Sequence, residues 1–341
     1  MSSVFIIAEA GVNHNGKLKL ALELIEKAKF AGADAVKFQT FKARSLVNES
    51  APLATYQASN VPTCKSQYEL IKALELPLEW HEVLLERCKE LDIEFMSTAF
   101  DCESADFLND LGVKRFKIPS GEVSNVPLLR KIAAFGKPVI LSTGMCDFAE
   151  VVRAVQILKE TGLDSEQLTV LHCTTQYPAP LKDVNLRVLE CYREELDCSY
   201  GYSDHTLGVE ISLAAVAMGS VAIEKHFTLD RALEGPDHKA SLEPDELKSM
   251  ITGIRRISES LGSREKKVVE SERSNQIVAR KSIFTSKTIK KGEMFTVSNI
   301  TTLRPGDGLS AWNWDELLGK AAKRGYQAGE KVDEAEICST D

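Results

Sequence analysis

The sequence predicts a (β/α)8 barrel followed by a small β-rich domain. Two observations carry that prediction. Eight apolar runs with β character occur before residue 230, and amphipathic stretches separate most of them. From residue 263 the texture changes to a charged run and then to short β-like runs with turns. Alternating strands and helices imply a parallel sheet. Eight such units in 262 residues fit a closed barrel better than an open doubly wound sheet. No G-x-G-x-x-G follows the first strand, which weighs against a dinucleotide fold.

The strand runs, in order, are VFIIAEA, DAVKFQT, IEFMSTAF, KRFKIPS, KPVILST, LTVLHCT, CSYGYSD and VAIEKHFT. Residues 17–33, 79–92, 150–162 and 243–262 repeat apolar side chains at helical spacing. The barrel is therefore expected over residues 1–262. Residues 263–276 are charged and nearly lack large apolar side chains, and residues 263–279 read as a linker or as a helix extending into one. Residues 280–341 read as a separate domain whose core is marginal alone. It is expected to dock on its own barrel or on a partner's.

Composition narrows the function classes. A net charge of −8 argues against nonspecific nucleic-acid binding. An anionic substrate then needs a local cluster of Lys and Arg. No apolar run approaches the length of a membrane span, and the N-terminus lacks a basic signal region. The expectation is a soluble cytoplasmic protein with no nucleic-acid or membrane partner. Eight scattered cysteines without a C-x-x-C pair suit reduced thiols.

In a barrel of this kind, chemistry gathers at the C-terminal strand ends. Those ends carry Glu9; Lys37 and Gln39; Ser97 and Thr98; Lys117, Ser120 and Glu122; Ser142 and Thr143; Thr174 and Thr175; Ser203, Asp204 and His205; and Glu224, Lys225 and His226. Helix N-caps account for some of the hydroxyls. They do not account for Lys37 and Lys117, which stand in apolar runs where a charge must be paired. Lysines and hydroxyls together point to an anionic ligand in the barrel mouth.

His205 ends the seventh strand and His226 the eighth. Adjacent strands lie about 4.8 Å apart, so both imidazoles can reach one divalent ion with open positions. The competing reading is a pair of hydrogen-bonded core histidines. Asp204 and Glu224 are candidates to orient the pair, although strand alternation can also turn them outward. His14, in GVNHNG, can cap a loop or line the mouth. His172 reads as structural, His81 lies on the outer helix layer, and His238, in GPDHKASLEP beside Asp237, can approach substrate.

The motifs IIAEAGVNHNG, AVKFQT, STAFD, FKIPSGE, ILSTGM, LHCTTQYP, GYSDHT, IEKHFTLD and GPDHKASLEP resemble the bacterial sialic acid synthases. The tail with LRPGDG resembles their antifreeze-protein-like (β-clip) C-terminal domain. The resemblance covers essentially the whole chain and is specific for the nonulosonic acid synthase family. It implies a domain-swapped homodimer and a divalent metal, Mn2+ or Mg2+. It implies condensation of phosphoenolpyruvate with an N-acetylmannosamine-type sugar to give N-acetylneuraminate. The alternative acceptor is 2,4-diacetamido-2,4,6-trideoxymannose, which gives N,N'-diacetyllegionaminate.

Carried onto this sequence, the metal ligands are His205 and His226. Phosphoenolpyruvate falls to Lys37, Thr98, Lys117, Ser120, Ser142 and Ser203, with Thr175 where several members have asparagine. Glu122 matches a carboxylate for proton transfer, and Glu9 joins it as a catalytic candidate. The sugar site matches Glu9, Gln39, Tyr177 and Asp237, with Arg304 entering from the partner's C-terminal domain. GVNHNG and FKARSLV look most like synthases of unphosphorylated sugars. Two rivals stand beside this reading: a class I aldolase with Lys37 or Lys117 as Schiff base, and a noncatalytic sugar-binding protein on the same scaffold.

Overall fold

The computed structural model describes residues 3–53, 61, 64 and 66–338. The chain divides into two compact units, residues 1–262 and 263–341.

The first unit is a closed barrel of eight parallel strands. They are β1 (Phe5–Gly11), β2 (Ala35–Thr40), β3 (Glu94–Ala99), β4 (Phe116–Ile118), β5 (Val139–Ser142), β6 (Leu168–Cys173), β7 (Ser199–Asp204) and β8 (Ala222–His226). β8 closes on β1, with Glu9 in register with His226. The expected helical stretches form Leu18–Ala31, Leu78–Glu90, Phe148–Glu160 and Pro244–Leu261. Leu18–Ala31 buries Ala21, Leu24, Ile25, Ala28 and Ala31, and ends on Gly32 at φ 90°, a left-handed conformation that glycine adopts without a Cβ clash. Phe148–Glu160 opens with a reciprocal cap between Asp147 and Glu150.

Side-chain alternation along the strands sorts the barrel into layers. The outward residues Ile6, Val36, Phe95, Phe116, Val139, Val170 and Ile223 join the core beneath the helices. The inward residues Ile7, Ala35, Met96, Ile140, Leu171 and Ala222 form a separate apolar plug. Two residues further along each strand, the inward positions become Glu9, Lys37, Thr98, Ser142, Cys173 and Glu224. The apolar plug is thus the seat of the polar mouth. At Gly201, on β7, an added Cβ would collide with the Ala222 carbonyl oxygen and lie 2.7 Å from Leu171, so only glycine fits at this level of the plug.

The second unit contains a helix, Glu270–Ala279, within the segment read from sequence as a linker. It also holds an antiparallel pair, β9 (Ser282–Thr285) and β10 (Ile300–Leu303). Ile283, Ile289, Phe295, Ile300, Leu317 and Tyr326 form its own small core. Among the described residues, no helix is long and apolar enough to cross a membrane, and the eight cysteines are free.

Candidate active site

The C-terminal strand ends surround a cavity of about 490 Å³. Its lining includes Glu9, Lys37, Gln39, Thr98, Lys117, Ser120, Glu122, Ser142, Thr175, Tyr177, Ser203, His205, His226 and Asp237. The structure therefore brings together every barrel residue that the resemblance assigned to the metal, to phosphoenolpyruvate and to the sugar. Arg304 lies in the second unit, exposed just beyond β10.

At the floor, four buried charges alternate. Lys37 Nζ lies 2.7 Å from Glu9 Oε2 and 3.5 Å from Glu224 Oε2. Lys117 Nζ lies 3.3 Å from Glu224 Oε1. Lys37 also donates to Thr98 Oγ1 at 2.9 Å, Ser203 Oγ to Glu224 Oε1 at 3.0 Å, and Gln39 Nε2 to Glu9 Oε1 at 3.2 Å. Burial pushes the Glu9 carboxyl up to about 7, with Lys37 opposing and Glu224 reinforcing the rise. Glu224 is buried too, but Lys117 and Lys37 outweigh that and hold it down at about 2. Burial lowers the Lys117 pKa against the pull of Glu224, and Lys37 adds repulsion. Burial opposes the charge on Lys37, but Glu224 and Glu9 outweigh it.

Hydroxyls form the side of the cavity above β4 to β7. The Gly144 N–H donates to Ser120 Oγ at 2.9 Å. A Cβ at Gly144 would lie 2.6 Å from Thr175 Cγ2, so this close approach requires glycine. Ser142 Oγ is buried without a hydrogen-bond partner. Such a group is costly unless a ligand satisfies it. Glu122 is half-buried and accepts from Asn125 Nδ2 at 2.6 Å.

The two histidines meet at the ends of β7 and β8, with ring centroids 5.4 Å apart. His205 Nδ1 donates to the Thr174 carbonyl at 2.7 Å, which leaves Nε2 as the remaining ring donor atom. Burial opposes a charge on His205, but Cys173 and the Thr174 carbonyl outweigh it and raise its pKa. Burial and the neighbouring His205 drive His226 well below its ordinary value. Its Nδ1 is buried without a hydrogen bond, 4.0 Å from Asp237 Oδ2. Burial lifts the Asp237 carboxyl to about 6. The Tyr177 ring lies tilted at 33° against His205, with centroids 4.2 Å apart. Among the described residues, no three His, Cys, Asp or Glu side chains are grouped to hold an ion.

The remaining candidates fall out differently, some against expectation. Asp204 does not orient a histidine: it turns outward, 3.0 Å from Lys225 Nζ, and accepts from Thr206 and Ser212. Lys225 is thereby withdrawn from the mouth, which keeps two lysines. Glu224 faces inward, but it pairs with Lys37 and Lys117 and accepts from Ser203. Ser97 turns outward to Thr40, and Thr143 to Tyr192. His238 is not among the cavity-lining residues: its ring nitrogens face Thr228 and Asn15. His14 caps its loop by accepting from the Gly16 N–H. His172 donates to the Val184 carbonyl, and His81 is buried against Thr40.

Sequence reasoning missed the other wall. Val12, Phe41, Leu46, Val47, Leu70, Ile71, Leu74 and Phe100 line the cavity from the loops above β1 to β3. The apolar spacing in QYELIKALEL was a signal for it, since Leu70 and Leu74 recur one helical turn apart.

Comparison with known proteins agrees with this architecture. Residues 24–266 match the NeuB family, and residues 280–337 match the SAF domain. The chain is 49% identical to an N,N'-diacetyllegionaminic acid synthase of Campylobacter jejuni, over 98% of this chain and 100% of that protein. It is 48% identical to another of that name from Legionella pneumophila, over 95% of this chain and 92% of the relative. A crystal structure of N-acetylneuraminic acid (sialic acid) synthetase from Leptospira borgpetersenii superposes with a TM-score of 0.72 at 36% identity. That match covers 80% of this chain and 90% of the other.

Proposed function

This chain belongs to the NeuB family, and from that premise we propose that it condenses phosphoenolpyruvate with an N-acetylated mannosamine-type sugar, releasing phosphate and a nonulosonic acid. The observation that carries this reading is the pair of buried lysines at the cavity floor beside a row of hydroxyls. Between the two acceptors, similarity favours the alternative over N-acetylmannosamine. The relatives with the higher identities are N,N'-diacetyllegionaminic acid synthases. We therefore take 2,4-diacetamido-2,4,6-trideoxymannose as the acceptor. A homodimer with swapped C-terminal domains belongs to the same reading.

A divalent cation, Mn2+ or Mg2+, suits the histidine pair. His205 has its Nδ1 engaged by a carbonyl, and His226 has a buried nitrogen without a partner. Two imidazoles leave the remaining positions to water and substrate oxygens, as in a weakly held catalytic ion. Bound there, the ion supplies a Lewis acid for the aldehyde oxygen of the open-chain acceptor.

The chain's own residues do the rest. Lys37 and Lys117 hold the phosphate and carboxylate of phosphoenolpyruvate through charge-assisted hydrogen bonds. Thr98, Ser120, Ser142, Thr175 and Ser203 place neutral hydroxyls around them. Carbon 3 of phosphoenolpyruvate forms the new bond to the aldehyde carbon. Carbon 2, left electron-poor, takes the oxygen of a water molecule, and Glu122 takes that water's proton. The bond between carbon 2 and the phosphate oxygen then breaks. Phosphate leaves with the electron pair and takes the proton of the carbon 2 hydroxyl as the ketone forms. Glu9, which titrates near neutrality, gives a proton to the aldehyde oxygen as it becomes a hydroxyl. Gln39, Tyr177 and Asp237 border the acceptor, and Arg304 completes its site from the partner.

The test is phosphate release from phosphoenolpyruvate with N-acetylmannosamine, its 6-phosphate and the trideoxy sugar. Release that depends on an unphosphorylated sugar is expected. Absence of release with every acceptor overturns the reading. A pyruvate adduct trapped on Lys37 or Lys117 by borohydride would establish the aldolase instead.

A further inference from the structure

The cavity is ionic at its floor and apolar along one wall. Phe41 and Phe100 meet edge to face, with centroids 5.7 Å apart. Leu70 is buried, while Leu46 and Ile71 are half-buried at the cavity surface. Among the described cavity-lining residues of the segment between β2 and β3, Gln67 is the only polar one. An anionic donor has no use for this wall, because its phosphate and carboxylate belong at the lysines.

We propose that this wall selects the acceptor: it takes the C6 methyl and the 4-acetamido methyl of a 6-deoxy diacetamido sugar, and Gln67 pairs with the 4-acetamido amide. The inference rests on the condensation reading above. A hexose acceptor carries hydroxyls at C4 and C6, and against Leu46, Leu70 and Ile71 those hydroxyls lose water without gaining partners. The trideoxy sugar presents a methyl at C6. Its 4-acetamido group offers one N–H and one carbonyl, which match the Oε1 acceptor and Nε2 donor of a single carboxamide. Apolar pockets discriminate against one added hydroxyl by on the order of 10²-fold.

The experiment compares kcat/KM for phosphate release with the trideoxy sugar and with N-acetylmannosamine. Wild type is expected to favour the trideoxy sugar by on the order of 10²-fold. Ile71→Asn and, separately, Leu46→Ser place a polar group on the wall and should lower that ratio by about tenfold, within the range one pocket contact supplies. The KM for phosphoenolpyruvate should stay at the wild-type value, which separates a changed wall from a collapsed site. Gln67→Leu should weaken the trideoxy sugar selectively. Equal efficiency of both sugars in wild type overturns the inference. So does an unchanged ratio in variants whose circular dichroism matches wild type. Release with neither sugar overturns the condensation reading, and this inference falls with it.

Discussion

Glu224 and Lys117 form a buried ion pair, 3.3 Å apart, at the floor of the barrel mouth. Among the described residues, Glu224 is the only carboxylate within salt-bridge distance of Lys117, and it also faces Lys37. Removing one member of such a pair leaves the other charge buried alone. Glu224→Gln is therefore expected to cost about 3–5 kcal/mol of stability, read from urea unfolding. Saturating phosphoenolpyruvate should recover more stability in the variant than in wild type, since the anion replaces the lost charge. An unchanged unfolding midpoint would contradict this account of the floor.

The histidine pair gives a second expectation. His205→Ala or His226→Ala should abolish turnover, because one imidazole alone holds an exposed ion weakly. Calorimetric titration with Mn2+ should show binding to wild type and its loss in each variant. Chelation should silence wild type reversibly. Full turnover in thoroughly metal-free enzyme would remove the ion from the mechanism.

Glu9 sets a pH dependence. Its carboxyl titrates at about 7, so it is neutral below and charged above that value. With Glu9 neutral, the floor carries two ammonium groups against one carboxylate. With Glu9 charged, the four groups cancel. Phosphoenolpyruvate should then lose affinity as pH rises from about 6 to 8, and Glu9→Gln should remove that loss. Direct binding measurements on both proteins isolate Glu9 from the ligand's own titration. Parallel pH profiles would be the contrary result.

Arg304 is testable through subunit exchange. An Arg304→Ala chain mixed with a His205→Ala chain should give hybrid dimers with one intact site, which joins a barrel bearing His205 to a tail bearing Arg304. Activity should return to about half of wild type per hybrid dimer if the sites are independent. Verified hybrids without activity would show that Arg304 does not act across a dimer.

The strand count and the polar strand ends were legible because each rests on local pattern. Lys37 and Lys117 stand out as charges in apolar runs, and their partners had to exist. What those partners were was not legible, since Glu9 meets Lys37 only through the register of β1 on β2, and Glu224 reaches both lysines only through barrel closure. Asp204 stood between two readings, because it adjoins His205 in sequence while alternation puts neighbouring residues on opposite faces, and the outward reading is the one the structure shows. His238 was misread because a loop histidine has no periodicity to reveal that Thr228 and Asn15 hold it. The apolar wall escaped notice because its side chains look like ordinary core until the cavity beside them is seen.

The outward pair of Asp204 and Lys225 has a consequence for how the chain finds its register. Strand seven reads serine in, aspartate out. Strand eight reads glutamate in, lysine out, histidine in. A slip of β8 by one position would drive Lys225 into the mouth and press Glu224 and His226 against the helices. It would also strand Asp204 without its cation. The inner and outer ion pairs thus act as a parity check: both are satisfied in one alignment, and a shift by an odd step breaks both together. Single-residue insertions within β7 or β8 should accordingly leave no partly functional barrel, whereas the loops that follow them carry no such constraint.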